Sequence, residues 1–452
     1  MNDTIAAIST TTGKGAISII RVSGPESIKL VNKIFKEKDL EKVESHTIHY
    51  GHIIYKETIE DEVLISIMKA PKTFTTEDIV EINCHGNILV TKKILEILLT
   101  IGCRLAEPGE FTKRAFLNGR IDLIEAEGIM DLINARNEKE KSLALNQIDG
   151  KVSNLIKNLR QKILEVLATI EVKIDYPEYE DIEDITYEDL EKNIIEVEKE
   201  INKIIKESEN GKIIKEGIKT AIIGRPNVGK SSLLNKLLKE DKAIVTEIEG
   251  TTRDIVEGTI NLNGITLDLI DTAGIRKTSD IVESIGVGKS LELINQAELI
   301  LFLLNNNSEI NEYDKEILEK IKTKKHIILI NKIDLPQKIN DNELKEFKNI
   351  IKISTLNDIG IDNLKQKIIE MYNLEELEGK DLTYLTNARS ISLLNQGLES
   401  INEVKKGILS RQPIDMIEID LKRIWDLLGE ITGETYQEEL INQLFSQFCL
   451  GK

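Results

Sequence analysis

The 452-residue sequence has few of the features that stabilise secreted proteins or cross membranes. Its three cysteines, Cys84, Cys103 and Cys449, are odd in number and far apart, so they fit neither a disulfide framework nor a zinc site. No apolar run of about 18 residues and no signal-peptide pattern occurs. We therefore expect a protein of the reducing cytoplasm that has no membrane span.

Aromatic residues are also scarce, at 4 % of the chain, so the hydrophobic cores must consist mainly of isoleucine and leucine. The formal net charge is −18, and residues 121–215 alone carry 14 basic and 23 acidic side chains. Because binding to a phosphate backbone needs an excess of lysine and arginine, this composition argues against a broad nucleic-acid-binding surface. Any RNA must contact a local basic patch or be held largely by a partner protein.

The length predicts about three domains, and the hydrophobic patterns indicate where they lie. An α+β pattern covers residues 1–118, and a nearly continuous helical pattern covers residues 119–216. An α/β pattern follows over residues 217–375, and residues 376–452 return to helical periodicity. In the first region, Pro25 predicts a helix that extends to about Phe35, with Ser23 near its N-terminal cap.

The most informative segment is residues 224–232, Gly-Arg-Pro-Asn-Val-Gly-Lys-Ser-Ser, which fits the phosphate-binding loop pattern. Gly224 and Gly229 allow the backbone to turn successive N–H groups towards phosphate oxygens. Lys230 brings a positive charge to the outer phosphates, and Ser231 offers a hydroxyl group to Mg²⁺. An apolar strand precedes the loop and a helix follows it, which is the order that this chemistry requires.

Two further motifs predict the loops that respond to the γ-phosphate. The segment Gly250-Thr251-Thr252 offers threonine hydroxyl groups that can complete the Mg²⁺ shell. The segment Asp271-Thr272-Ala273-Gly274 follows an apolar strand, so the carboxylate can reach Mg²⁺ through water and the Gly274 N–H can reach the γ-phosphate.

Two more motifs predict guanine recognition. Asn331-Lys332-Ile333-Asp334 follows an apolar strand, and one carboxylate can accept both donors on the Watson–Crick edge of guanine. Adenine cannot pair in this way, so Asp334 predicts GTP as the ligand. Ser354-Thr355 follows the last strand of the region, where backbone support for the base is expected.

The residue expected to align the attacking water differs from the common GTPase pattern, in which a glutamine after the Asp-x-x-Gly motif orients this water. Ile275 occupies that position, so the water must be aligned by another residue, and Arg276, Asp280 and Glu283 are the nearby candidates. The carboxamide of Asn227 could hold a monovalent cation beside the β- and γ-phosphates, where its charge would replace that of an arginine finger.

In the N-terminal region, Arg21 and Glu81 are single charges within apolar strands. Such charges line a pocket, pair with each other or lie on an exposed face, and the residues alone leave these alternatives open. Cys449 lies near a helix end without an adjacent base, so we expect a small buried residue there rather than a nucleophile.

Over its whole length the chain resembles the MnmE family, also called TrmE, of tRNA-modification GTPases. The most specific marks are the motifs above, the segments 108–112 and 114–118, and the tail 445–452, Phe-Ser-Gln-Phe-Cys-Leu-Gly-Lys. The resemblance implies an N-terminal domain that binds tetrahydrofolate and forms a homodimer. It also implies a discontinuous all-α domain into which an α/β, Ras-like GTPase domain is inserted.

The resemblance assigns roles to individual residues of this sequence. It implies Glu283 as the residue that positions the hydrolytic water, with Lys230 and Asn227 as further catalytic groups. The implied K⁺ ligands are Asn227, Thr246, Ile248 and Thr251, and the implied Mg²⁺ ligands are Ser231 and Thr252. The implied folate-binding residues are Arg21, Glu81, Arg120 and Lys452, of which Arg120 replaces a lysine that is found in many members. The residues expected around the nucleotide are Asn227, Val228, Gly229, Lys230, Ser231, Ser232, Thr246, Glu247, Ile248, Glu249, Gly250, Thr251, Thr252, Asp271, Thr272, Ala273, Gly274, Asn331, Lys332, Asp334 and Ser354.

The resemblance also implies a reaction and a partner. With the flavoprotein MnmG, in a heterotetramer, the chain would add a carboxymethylaminomethyl or aminomethyl group to the wobble uridine of certain tRNAs. The one-carbon donor would be 5-formyl- or 5,10-methylene-tetrahydrofolate, and the tRNA would be held largely through the partner. Two alternatives remain: a ribosome-assembly GTPase without modification chemistry, and a nucleotide-gated scaffold whose N-terminal domain binds no small molecule.

Overall fold

A computed structural model describes residues 3–175, 187–240, 258–262, 264–270, 286–372, 383–436 and 438–451. Over these residues the chain divides into two compact units. The first unit comprises residues up to 130, 147–198 and 392 onwards, and the second comprises residues 131–146 and 199–391. Within the described part of the chain, no helix has both the length and the apolar character needed to cross a membrane. The boundaries expected after residues 118, 216 and 375 stay predictions.

A seven-stranded sheet lies at the N-terminal end of the first unit. Its strands are β1 (Ile5–Ile8), β2 (Ile17–Ser23), β3 (Phe35–Lys36), β4 (Thr47–Tyr55), β5 (Thr58–Met68), β6 (Ile79–His85) and β7 (Arg104–Leu105). The order is β3-β4-β5-β6-β2-β1-β7, and every neighbouring pair is antiparallel except β1 and β7. Most buried apolar residues of the sheet form one core with the helices Ser27–Asn32 and Ile88–Ile101, whereas Ile5 and Ala7 pack in a second cluster with Phe111. The predicted α+β fold of this region is confirmed.

The prediction of a helix from Pro25 to Phe35 is wrong in its extent. The helix spans only Ser27–Asn32, and Phe35 begins β3 opposite Ile53. Ser23 ends β2 and is buried. Its hydroxyl group donates to Glu77 at 2.7 Å and lies 2.7 Å from the Thr75 hydroxyl group. Tertiary hydrogen bonds therefore hold Ser23 in the sheet, where sequence reasoning placed a helix cap.

Eight helices of the described chain belong to the predicted helical regions and to the junction with the N-terminal sheet. They are Glu110–Leu117, Leu123–Asn134, Glu138–Ile148, Lys151–Asp175, Tyr187–Glu216, Ala388–Leu409, Ile414–Thr432 and Glu438–Ser446. In the first unit, the Arg160 guanidinium stacks 3.8 Å from the centre of the Trp425 ring, and Lys405 pairs with Glu198 at 2.9 Å. These contacts join helices from before and after the α/β region in one bundle.

The second unit contains a six-stranded sheet. Its strands are β8 (Ile218–Ile223), β9 (Thr259–Leu262), β10 (Ile265–Leu269), β11 (Leu299–Asn305), β12 (Lys325–Asn331) and β13 (Ile350–Lys352). The order is β13-β12-β11-β8-β10-β9, and only β9 runs antiparallel to its neighbour. Helices Lys230–Glu240, Gly286–Gln296 and Glu312–Ile321 lie between strands of this sheet in the chain, and the helix Ile361–Met371 follows its last strand. The predicted α/β fold of this region is confirmed.

Strand β11 is a strand that motif-based reasoning does not predict. It carries no motif residue, and six of its seven residues are buried. It lies between β8 and β12, so the segments after these three strands meet at one edge of the sheet. Ligands of open parallel sheets bind at this edge, beyond the carboxyl ends of the strands.

Candidate nucleotide-binding site

The phosphate-binding loop follows β8 and is shaped by three residues with positive φ. Their φ angles are 151° at Gly224, 60° at Asn227 and 106° at Gly229. A Cβ atom on Gly224 would lie 2.5 Å from the Leu303 carbonyl oxygen, and one on Gly229 would collide with the side-chain nitrogen of Asn331. Both glycines are therefore required by the backbone conformation and by the close approach of neighbouring strand ends.

Lys230 lies at the start of the helix Lys230–Glu240, where an anion is favoured by the exposed N–H groups. Its ammonium group donates to the carbonyl oxygens of Gly224 at 2.6 Å and of Arg225 at 2.8 Å. Burial lowers the pKa of Lys230, because a poorly hydrated site disfavours the charged form. A phosphate group beside it would favour the ammonium form, so binding of a polyanion and the charge of this lysine support each other.

Asn331, at the end of β12, joins the predicted base-recognition segment to the phosphate loop. The side chain is fully buried, and its amide group donates to the Val228 carbonyl oxygen at 2.8 Å. Its carbonyl oxygen accepts the Thr355 N–H at 3.2 Å, so the segment after β13 is tied to the same residue. The ammonium group of Lys332 donates to the Asn227 carbonyl oxygen at 2.8 Å, which is a second link between the two loops.

Asp334 is exposed at the same edge of the sheet, where a base could reach it. The buried Ser354 donates its hydroxyl hydrogen to the Asp334 carboxylate at 2.5 Å and accepts the Asn357 N–H at 3.3 Å. This hydrogen bond orients the Asp334 carboxylate at the same edge of the sheet as the phosphate loop. This arrangement suits a ligand that presents two hydrogen-bond donors on one end and phosphate groups on the other.

The structure thus brings together Val228, Gly229, Lys230, Asn331, Lys332, Asp334 and Ser354 around one sheet edge, with Ser231 and Ser232 in the first turn of the following helix. Other predicted residues lie outside the described part of the chain. These are Thr246, Glu247, Ile248, Glu249, Gly250, Thr251, Thr252, Asp271, Thr272, Ala273, Gly274, Glu283 and Lys452. Their roles stay predictions.

In the N-terminal sheet, Arg21 on β2 lies opposite Glu81 on β6. Two guanidinium nitrogens donate to the same Glu81 oxygen at 2.9 and 2.8 Å, so these charges pair with each other. The guanidinium group also lies 5.6 Å from the centre of the Phe111 ring and 5.9 Å from that of Phe74. Arg120 stacks 5.0 Å from the same Phe74 ring. Two of the four predicted folate-binding residues, Arg21 and Arg120, therefore lie over the same aromatic ring, and a third, Glu81, pairs with Arg21.

Sequence reasoning missed Phe74 and Phe111 as neighbours of this cluster. Phe111 lies within the segment 108–112 that marked the family resemblance, which is a signal that could have found it.

The described end of the chain lies next to the N-terminal sheet, because the Ser9 hydroxyl group donates to the Gly451 carbonyl oxygen at 3.1 Å. The expectation of a buried Cys449 is wrong, because this residue is exposed. Cys84 and Cys103 are buried, and burial raises the pKa of Cys103 to about 12.

The fold and the site define a phosphate-loop nucleotide-binding protein of the GTPase class. Comparison with known sequences identifies its family. Residues 4–120 match the model of the "GTP-binding protein TrmE N-terminus", and residues 123–449 match that of the "MnmE helical domain". The chain belongs to the MnmE family.

Two relatives named "tRNA modification GTPase MnmE" align with all of this chain. The protein of Ligilactobacillus salivarius is 54 % identical over 455 residues and that of Enterococcus faecalis 53 % over 457 residues, with 98 % of each relative covered. Among solved structures, Era in complex with MgGDPNP and a fragment of 16S ribosomal RNA is 32 % identical. That match covers 34 % of this chain and 56 % of Era, and its TM-score of 0.26 is too low to carry a conclusion.

The hydrogen bond from Ser354 to Asp334 predicts a role for Ser354 in nucleotide affinity. We expect Ser354→Ala to weaken GTP binding roughly tenfold, because hydrogen bonds to charged groups contribute about 1.5–3 kcal/mol. Titration with a fluorescent GTP analogue measures this change. Asn357→Ala is the matched control, since its exposed side chain lies in the same loop and should leave the affinity unchanged. Equal affinities of Ser354→Ala and the unmodified protein would contradict the prediction.

Proposed function

We propose that this chain binds and hydrolyses GTP with Mg²⁺ and couples hydrolysis to the modification of tRNA. One observation carries the choice of a guanine nucleotide: Asn331 ties the phosphate loop to the segment in which Ser354 fixes the Asp334 carboxylate. The link to tRNA rests on the relatives, which are named tRNA modification GTPases and are 53–54 % identical over the full chain.

The cation chemistry is part of the proposal. Ser231 and Thr252 would hold Mg²⁺, which would neutralise charge on the β- and γ-phosphates. Asn227, Thr246, Ile248 and Thr251 would hold K⁺, and Glu283 would position the attacking water. The hydrogen bond from the Lys332 ammonium group to the Asn227 carbonyl oxygen supports this role, because it ties Asn227 to the segment after β12.

The N-terminal region is proposed to bind a tetrahydrofolate at Arg21, Glu81, Arg120 and Lys452, as 5-formyl- or 5,10-methylene-tetrahydrofolate. The pair of Arg21 and Glu81 supports this proposal, since its side chains are 21 % and 22 % exposed beside aromatic rings. A stacked guanidinium group and a nearby carboxylate suit a flat heterocycle that carries both donors and acceptors. The folate would supply the one-carbon unit of the modification.

A homodimer is proposed on the outer face of the N-terminal sheet. Tyr50 on β4 and Leu64 on β5 lie directly opposite each other, and Ile48 lies two residues from Tyr50 on the same face. Their exposed fractions are 59 %, 45 % and 67 %, respectively. Neighbouring exposed apolar residues indicate an interaction surface. A solution mass equal to one chain, measured by light scattering, would contradict this proposal.

The remaining partners follow from the family. We propose that the chain acts in the cytoplasm with the flavoprotein MnmG in a heterotetramer, and that tRNA is held largely through MnmG. The product would carry a carboxymethylaminomethyl or aminomethyl group on its wobble uridine. The net charge of −18 supports a division of labour in which the partner supplies most of the RNA contacts.

The reaction is tested in cells that lack this gene. We expect mass spectrometry of tRNA nucleosides to show loss of the modified wobble uridine, and its return when the unmodified chain is supplied. Lys230→Ala should fail to restore it, because the ammonium group at the phosphates is removed. Lys320→Ala, an exposed lysine of the same unit, is the control and should restore it. Unchanged nucleosides in the deletion strain would instead favour a ribosome-assembly GTPase.

Folate binding is tested by titration of the purified chain with 5-formyltetrahydrofolate. We expect Arg21→Ala to weaken binding at least roughly tenfold, because a charged hydrogen-bonding group beside the ligand is lost. Lys36→Ala, an exposed lysine on β3 of the same sheet, should bind normally. Thermal unfolding should show that both variants are folded. Equal binding by Arg21→Ala would favour the scaffold whose N-terminal domain binds no small molecule.

The potassium site predicts a salt-dependent rate. We expect GTP hydrolysis, measured as phosphate release, to be faster in KCl than in NaCl of equal ionic strength. Asn227→Ala should remove this difference, because the proposed carboxamide ligand is lost. Asn342→Ala, an exposed amide elsewhere in the unit, should keep it. If the unmodified chain hydrolyses GTP equally fast in both salts, the cation proposal is wrong.

A further inference from the structure

Arg225 is the second residue of the phosphate loop, yet none of the chemistry above uses it. Its side chain contacts the segment after β11. One guanidinium nitrogen, Nη2, donates to the Ser308 hydroxyl group at 2.9 Å and to the Glu309 carbonyl oxygen at 3.1 Å. The same nitrogen lies 3.0 Å from Oδ2 of Asp314. Three acceptors therefore converge on one atom of this side chain.

Asp314 is an unusual partner because its side chain is 0 % exposed. It also belongs to a capping box, in which the Asn311 side chain accepts the Asp314 N–H at 3.0 Å and the Asn311 N–H donates to Asp314 Oδ2 at 3.2 Å. Burial raises the pKa of Asp314, while the Arg225 charge opposes that change. A buried carboxylate is costly unless it is paired, so the first turn of the helix Glu312–Ile321 stabilises the position of Arg225.

The backbone of Arg225 faces the opposite way, towards the nucleotide-binding edge. Its carbonyl oxygen accepts a hydrogen bond from the Lys230 ammonium group at 2.8 Å. The two ends of this one residue thus connect the lysine of the phosphate loop to a buried carboxylate. A displacement of the side chain would change the position of the carbonyl group and of the loop.

The segment after β11 is itself tied to the base-recognition segment. The buried Asn306 donates its side-chain amide to the Leu335 carbonyl oxygen at 2.9 Å, and its N–H donates to the Asn331 carbonyl oxygen at 2.8 Å. The segment therefore lies between the two loops and contacts both. Its contact with the phosphate loop is made by Arg225.

We propose that Arg225 is a positioning residue that fixes the phosphate loop in its nucleotide-binding conformation by pairing with Asp314. The guanidinium group does not touch the nucleotide in this role. It keeps the backbone of the loop preorganised, which raises affinity because less conformational freedom is lost on binding. The inference rests on the proposed binding of GTP at this loop and adds a residue that the motif pattern treats as variable.

The positions of these acceptors predict which residue types can replace Arg225. Because all three acceptors surround Nη2, the forked shape of arginine is not needed, and Nε is a buried donor without a hydrogen-bond partner. A lysine ammonium group has three donors on one nitrogen and the same charge. Lysine should therefore replace Arg225 with little loss, whereas a neutral glutamine should not.

The experiment uses the full-length chain and five variants. They are Arg225→Gln, Arg225→Lys, Asp314→Asn, the double variant Arg225→Gln with Asp314→Asn, and the control Lys315→Gln, whose exposed side chain pairs only with Glu312 among its described partners. Titration with GDP and with a non-hydrolysable GTP analogue gives the Kd of each. Thermal unfolding without nucleotide shows whether each variant is folded.

We expect Arg225→Gln and Asp314→Asn each to raise the Kd for both nucleotides at least roughly tenfold. Arg225→Lys should stay within a few-fold of the unmodified chain, and Lys315→Gln should be unchanged. The Kd of the double variant for each nucleotide should be no higher than that of the single variant with the higher Kd, because the two residues act as one unit. If Arg225→Gln does not fold, Asp314→Asn and Arg225→Lys still decide the question.

Several results would overturn the inference while leaving the proposed function intact. Normal affinity of Arg225→Gln would show that the pair has no positioning role. Affinity as weak in Arg225→Lys as in Arg225→Gln would show that the guanidinium shape itself is needed, as for direct contact with a ligand. If the losses of nucleotide affinity in the two single variants add up in the double variant, the two residues act independently. By contrast, failure of the unmodified chain to bind GTP would contradict the proposed function itself.

Discussion

One buried amide holds the nucleotide-binding edge of this protein together. The side chain of Asn331 donates to the phosphate loop at Val228 and accepts from the segment after β13 at Thr355. An amide has both a donor and an acceptor group, so it can join two backbone segments at once, and a buried amide must do so to offset its desolvation. Gly229 has no Cβ atom, which leaves space for this contact. Together with the hydrogen bond from Lys332 to Asn227, this side chain holds the predicted base-recognition segment next to the phosphate loop.

Charged groups with buried partners have a similar role elsewhere in the chain. In the first unit, Arg114 is 1 % exposed and pairs with Asp3, Glu77 and Glu110. These contacts join the start of the chain, the segment before β6 and the helix Glu110–Leu117. In the second unit, Arg136 pairs with Asp268 on β10 at 3.1 Å. With few aromatic residues available, directional ionic contacts of this kind define how apolar elements of isoleucine and leucine are arranged.

The two candidate sites differ in how they are built. The nucleotide site is made of loops at the ends of parallel strands, so neighbours in space come from motifs far apart in the sequence. The proposed folate-binding cluster has two of its residues on strands, because Arg21 and Glu81 are register partners in the sheet. Strand register fixes the second site directly, whereas the first depends on contacts between loops such as those of Asn331 and Ser354.

The sequence by itself indicated the classes of fold and the phosphate loop, and it predicted the guanine-recognition motif. Glycine spacing, apolar strands and short polar motifs are local, and local patterns are visible without contacts. Sequence reasoning was wrong about the helix that it placed between Ser23 and Phe35. Ser23 is held in β2 by its hydrogen bond to Glu77, and Phe35 pairs with Ile53 in the sheet. Only the tertiary structure decided that Arg21 pairs with Glu81 and that Asp314 is the partner of Arg225, because such contacts join residues 60 or more positions apart. No periodicity encodes them, since they depend on which strands and helices become neighbours when the chain folds.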